Sequence, residues 1–164
     1  MISLGRTKRE KAISQSSATL IRREIMRTFS QDLSLKTSRE MDMIDITQAV
    51  AEVVEKSDLA DGIATIFVPG STGAVTTIEY EPGLRKDFPA ALERLVPKHL
   101  TYEHEKTWHD GNGHSHVKAS LLGPSLTVPF RKRRLLLGTW QQIVFIELDI
   151  RSRSRNVVVQ VMGE

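Results

Sequence analysis

From residue 29 to residue 36 the chain alternates without a break. Phe29, Gln31, Leu33 and Leu35 fall on one side, and Ser30, Asp32, Ser34 and Lys36 on the other. That is the two-residue period of a strand with one face on a core. The β-branched preference of strands returns at residues 63–68, 74–80, 140–150 and 156–162. Shorter strands are expected at 41–46, 101–105 and 125–129, and Arg131, Lys132, Arg133 and Arg134 read as a solvated hairpin tip. Two segments change to helical period. Thr47 stands where it can cap a helix whose apolar stripe is Val50, Val53 and Val54. After the break at Glu81-Pro82-Gly83, Leu84, Phe88, Leu92 and Leu95 mark an amphipathic helix ending before Pro97. Roughly eight strands with two to three helices predict a single α+β domain built on a mostly antiparallel β-sandwich or barrel-like sheet.

The chain has 164 residues, enough for one sizeable core. It contains no cysteine, which excludes disulfides and thiolate metal sites, so any metal must take His and carboxylate ligands. No apolar run approaches the length that spans a bilayer, so no membrane role is expected. The N-terminus lacks the apolar segment of a secretory signal, and a cytoplasmic location is the default expectation. Residues 1–28 read as a flexible extension preceding the domain at 29–164. Its only amphipathic stretch is 18–26, and Met26 is an alternative start. The net charge of +3 is concentrated there, because residues 1–25 hold six basic and two acidic side chains. The remainder is close to neutral, which speaks against nucleic acid as a partner.

All five histidines lie between His99 and His116, and His109, His114 and His116 fall within eight residues. Histidine changes charge near neutral pH and is the commonest metal ligand. As a strand, the segment would put Asn112, His114, His116 and Lys118 on one face. As a helix, it would start at Asn112 and stop at Gly123-Pro124. The pattern of Val117, Ser120, Leu121 and Gly123 favours the helix, which sets His114 and His116 about 200° apart. Two readings of the cluster stand side by side. One is a pocket for a metal or a phosphate, with His114 or His116 as general acid or base. The other is a buried hydrogen-bonding network or a subunit contact. A metal site built on His114 and His116 needs a third ligand, for which His104, Asp110 and Glu147 are the candidates. The loop Gly70-Ser71-Thr72-Gly73 offers either a phosphate cradle or an ordinary turn. Arg151, Arg153 and Arg155 share a strand face, suited to an anion or to solvent.

Several motifs occur together and in order: Asp45-Ile46-Thr47, Phe67-Val68-Pro69-x-Ser71-Thr72, Tyr102-x-His104, and Trp108-x-Asp110-x-Asn112-Gly113-His114-x-His116. They continue with Gly123-Pro124-Ser125, Leu137-Gly138-Thr139-Trp140-Gln141, Glu147-x-Asp149 and Arg153-x-Arg155. With these motifs the chain resembles the YjbQ-like family, also called the secondary thiamine-phosphate synthase family, from about Phe29 to the C-terminus. The resemblance implies a compact α+β fold assembled as a homotrimer. It also implies a transferase activity that joins hydroxymethylpyrimidine pyrophosphate to thiazole phosphate and releases pyrophosphate. The expected substrate is then a phosphorylated small molecule, with a divalent metal, Mg or Zn, as cofactor. His114, His116, Glu147 and Asp110 become the expected catalytic residues. Asn112, Gln141, Arg153, Arg155, Ser71 and Thr72 become the expected substrate ligands, and His104, His114 and His116 the expected metal ligands. A non-catalytic binding protein for a phosphorylated metabolite or a metal is the alternative. One departure is visible: the loop position after Val68-Pro69 that is usually histidine in the family is Gly70 here.

Overall fold

The computed structural model describes residues 25–164, so most of the amphipathic stretch expected at 18–26 lies outside the described residues. Strand β1 (Arg27–Lys36) alternates as read, with Phe29, Leu33 and Leu35 packed against the core. Then follow β2 (Met43–Asp45), α1 (Thr47–Lys56), β3 (Gly62–Phe67), β4 (Gly73–Ile78) and α2 (Leu84–Leu95). The chain continues through α3 (Glu105–Trp108), α4 (Gly113–Leu122), β5 (Ser125–Arg131), β6 (Arg134–Leu135), β7 (Gln142–Glu147) and β8 (Ser154–Gly163). One antiparallel sheet runs β1-β8-β3-β5-β6 and a second runs β2-β7-β4, together forming a half-barrel.

Helix α1 fills the half-barrel. Val50, Val53 and Val54 are fully buried against Ile66, Phe145, Val157, Val159 and Val161. Strand β7 is buried on both faces. Ile143 and Phe145 look into that core, while Val144 and Ile146 pack under α2 and α4 with Leu92 and Ala119. Strand β8 joins β1 to β3, and its last turn of contact is unusually close. A Cβ on Gly62 would lie 2.1 Å from the Met162 carbonyl, and one on Gly163 would lie 2.1 Å from the Asp61 carbonyl. Only glycine fits either position without separating the strands.

Four expectations need correction. Residues 101–105 form no strand. Glu105 N–H bonds to Tyr102 O, the Tyr102 hydroxyl donates to Pro97 O at 2.8 Å, and the chain folds into the single turn of α3. That turn and α4 bring the helices among the described residues to four. Thr47 is the first residue of α1 and makes no cap of its own. Asp45 accepts the Thr47 N–H at 2.9 Å, and the Thr47 hydroxyl accepts the Ile143 N–H at 2.8 Å. In α2, Leu95 is 73% exposed and Val96 is buried in its place, because the chain leaves helical geometry at Val96.

Candidate functional site

The two sheets are clamped together by ion pairs at one end of the half-barrel. Glu147 ends β7 in the smaller sheet, and Arg155 is the second residue of β8 in the larger one. Arg155 holds the fully buried Glu147 carboxylate through two hydrogen bonds, Nε to Oε2 at 2.8 Å and Nη2 to Oε1 at 2.5 Å. Two residues along each segment, Arg153 donates through Nε and Nη2 to a single oxygen of Asp149, Oδ2, at 3.0 and 2.7 Å. Thr72 ties the pairs to the β3–β4 loop: its hydroxyl donates to Asp149 at 3.2 Å and accepts from Arg155 Nη2 at 2.9 Å. Buried Thr37 donates to Glu147 at 3.1 Å and accepts the Arg153 N–H at 2.7 Å. Burial works to raise the pKa of Asp149, but the Arg153 guanidinium outweighs it and holds the carboxyl below its ordinary value. The Glu147 hydrogen bond pushes Arg155 further up, so its charge is permanent.

Above this clamp lies an open cavity of about 450 Å³. Gly70, Ser71 and Thr72 form one wall, Arg153, Ser154 and Arg155 another, and Asp110, Asn112 and His116 the third. The clamp uses Nε and Nη2 of both arginines. Among the described residues Nη1 of each has no partner, and a Cβ on Gly70 would sit 3.4 Å from Arg155 Nη1. These N–H groups therefore remain for a ligand.

Helix α4 supplies the third wall, and its start is not built as expected. Asn112 occupies the cap position but makes no side-chain cap. Glu105 does that work, accepting Gly111 N–H at 2.6 Å and Gly113 N–H at 2.8 Å, and these two bonds hold its carboxyl below the usual range. The anion position at this helix N-terminus is thus filled by the protein's own carboxylate. Gly113 allows it, since a Cβ there would lie 2.6 Å from Tyr102 Cβ and 3.0 Å from Glu105 Oε1. Asn112 is released. It is 7% exposed, its buried Oδ1 has no hydrogen-bond partner, and the residue stands in the cavity wall. Buried polar atoms are nearly always satisfied, so an orphan beside a cavity marks a place for a ligand or water donor.

His116 is half-buried at the cavity wall. Its ring lies 4.4 Å from that of His104, tilted by 42°. His104 Nε2 is buried without a hydrogen bond, and Asp110 Oδ1 stands 3.5 Å away. His104 therefore lies beside both Asp110 and His116, and both of these line the cavity.

His114 goes elsewhere. It is 1% exposed, pairs through Nε2 with Glu40 Oε1 at 2.8 Å, and lies against Tyr102. Lys118, one turn on and equally buried, meets Glu93 at 2.9 Å and Glu40 at 3.9 Å. Burial works to raise the pKa of Glu40, but hydrogen bonds from Lys98 and His114 overcome it and keep the group ionised. This cluster ties α4 to α2 and to the loop before β2.

The expected site residues therefore divide. Asp110, Asn112, His116, Ser71, Thr72, Arg153 and Arg155 meet at one cavity. Thr72 spends its hydroxyl on the clamp. Glu147 lies behind Arg155 and touches neither histidine. Gln141 caps the turn at Gly138, accepting its N–H at 2.8 Å, and does not line the cavity. The metal set of His104, His114 and His116 is not assembled, because the helix turns His114 toward Glu40. Among the described residues, no three His, Asp or Glu groups lie where they could hold a metal ion. Arg151 has left the arginine face and is exposed in the turn before β8. Asp149, Thr37 and Glu40 were missed. For Asp149 a signal existed: Glu147-x-Asp149 has the same two-residue spacing as Arg153-x-Arg155.

The structure can be set beside known proteins. It is similar to the crystal structure of a YbjQ-like protein of unknown function from Sulfolobus solfataricus, with a TM-score of 0.80 at 36% identity, covering 85% of this chain and 99% of that one. A UPF0047 protein of Methanothermobacter thermautotrophicus is 42% identical over 139 residues, 85% of this chain and 95% of its own length. The UPF0047 protein YugU of Bacillus subtilis is 35% identical over 133 residues, 80% of this chain and 97% of its own. The family model described as UPF0047 protein YjbQ-like matches residues 31–164, and this chain belongs to that family.

Proposed function

We propose that the cavity between the β3–β4 loop, the start of β8 and the start of α4 binds a phosphorylated small molecule, and that His116 moves a proton there. The observation that carries this reading is the convergence of unspent groups. Arg155 Nη1, Arg153 Nη1 and the Ser71 hydroxyl offer donors, and Asn112 and His116 stand beside them. A guanidinium already locked by carboxylates meets a phosphate oxygen without losing further rotamer freedom. The reaction that suits this site within the family resemblance is a transfer that releases pyrophosphate, as in joining hydroxymethylpyrimidine pyrophosphate to thiazole phosphate. There the arginine N–H groups stabilise the charge that develops on the departing oxygens. The thiazole nitrogen bonds to the methylene carbon as the carbon–oxygen bond to pyrophosphate breaks, and His116 gives a proton to the departing pyrophosphate. A homotrimer would close the open side of the cavity.

A second reading, binding without turnover, draws on the charge balance. Arg153 and Arg155 are each matched by a carboxylate, and Asp110 adds another negative charge at the rim. The two readings are separated by one assay on wild type and His116→Ala. Thiamine phosphate is measured after incubation with the two phosphorylated precursors, and pyrophosphate binding is measured by calorimetry. Turnover by wild type, lost in His116→Ala while pyrophosphate still binds, supports catalysis. Pyrophosphate binding with no turnover in either protein supports the binding reading. No binding of pyrophosphate to wild type removes both.

A further inference from the structure

A second cavity of about 200 Å³ opens beside the first, and the two share Gly70, Ser71 and His116 as walls. Its remaining lining is different in kind: Gly73, Ala119, Ser120 and Pro124, with no charged side chain. The Ser120 hydroxyl is already spent on the His116 carbonyl at 2.9 Å, so Ser71 is the single free polar side chain besides His116. The arginine cavity and this compartment therefore meet across Gly70. A Cβ there would have Arg155 Nη1 as its one close neighbour, at 3.4 Å, so nothing in the packing demands glycine at this position. What glycine leaves is open space between two compartments of opposite character.

We infer that Gly70 determines specificity for a phosphomonoester whose organic part is a small uncharged ring or short aliphatic group. The phosphate lies against Arg155, and the organic part crosses Gly70 into the compartment under Ala119 and Pro124. This rests on the phosphate-binding reading above and names the rest of the ligand. A cavity of about 150 Å³ is known to admit a benzene ring, so this one has room for a six-membered ring. The lining offers such a group apolar contact and a single hydrogen bond, which disfavours a second charge. His116 then stands at the junction, beside the oxygen that links phosphate to the organic group.

The test uses the full chain with inorganic phosphate, benzyl phosphate and benzyl alcohol as probes, measured by calorimetry. Wild type should bind benzyl phosphate about tenfold or more tightly than inorganic phosphate, a difference of about 1.4 kcal/mol. Benzyl alcohol alone should bind far more weakly. Gly70→Leu narrows the passage, and Ser120→Phe fills the compartment from an exposed position that the fold does not depend on. Ser120→Phe, which lies outside the phosphate cavity, should reduce the preference for the ester below about threefold while leaving inorganic phosphate affinity within about threefold. Gly70→Leu stands against Arg155 Nη1, so it is read by the ratio of ester to phosphate affinity alone, which should also fall below about threefold. Equal affinity of wild type for phosphate and ester, or a preference that survives both substitutions, would overturn the assignment and leave the phosphate reading standing. Failure of wild type to bind either phosphate probe would overturn both.

Discussion

Replacing Arg155 with methionine removes one partner from a pair whose other member has no access to water. The Glu147 side chain is 0% exposed and Arg155 is 14% exposed, so solvent cannot take over the lost charge. Breaking a buried pair from one side costs about 3–5 kcal/mol, because a charge is left buried without its partner. Thr37 and the Asp149 N–H still bond to Glu147, which argues for the lower half of that range. For a domain of this size each kcal/mol moves the melting temperature by roughly 2–4 °C, so Arg155→Met should melt about 6–16 °C earlier. The assay is urea unfolding followed by circular dichroism, with the melt as a second readout. The informative step is the double variant. Glu147→Gln with Arg155→Met removes the stranded charge but keeps an acceptor for the Asp149 N–H. It should be more stable than Arg155→Met alone by about 1 kcal/mol or more, a coupling in the range measured for residues in contact. If Arg155→Met costs less than about 1 kcal/mol, or if the two substitutions simply add, the clamp between the sheets does not exist as described.

His114→Ala should lower stability by about 1–3 kcal/mol, since Glu40 loses a hydrogen bond in a part-buried site, while pyrophosphate affinity stays within about threefold. Loss of binding with unchanged stability would put His114 in the cavity instead. Acid should unfold the protein through the same pairs. Asp149, Glu40 and Glu93 all have folded pKa values below their ordinary ones. Such groups contribute stability above their unfolded pKa and lose it as pH falls through the lowered folded value. Unfolding free energy should therefore be level from pH 7 to about pH 5 and decline below about pH 4. A steep decline already between pH 7 and 5 would contradict this assignment of charges.

The strands were legible because period and composition agree in them. The alternation at 29–36 names the buried side chains of β1, and the β-branched runs locate β3, β4, β7 and β8. Asn112 and Gly123 were legible as the ends of α4 because backbone conformation at a helix terminus is local. What stayed hidden depends on contacts between segments distant in the chain. Nothing near Asn112 says that Glu105 will cap the helix and leave the asparagine free for the cavity. The divergence of His114 and His116 followed from helical geometry, but Glu40 as the partner of His114 lies 74 residues away in sequence. Glu147 was expected to be catalytic only through the family resemblance. Its commitment to Arg155 becomes visible only when the two sheets are packed together.

The central claim is that one cavity, reached by His116 and not by His114, takes a phosphorylated ligand. Side-chain nitrogen NMR of ¹⁵N-histidine-labelled protein, titrated with inorganic pyrophosphate, tests it most directly. The His116 ring resonances should move with saturation, those of His104 should follow because its ring lies against that of His116, and those of His114 should stay fixed on Glu40. Resonances of His114 that move while those of His116 remain still would contradict it.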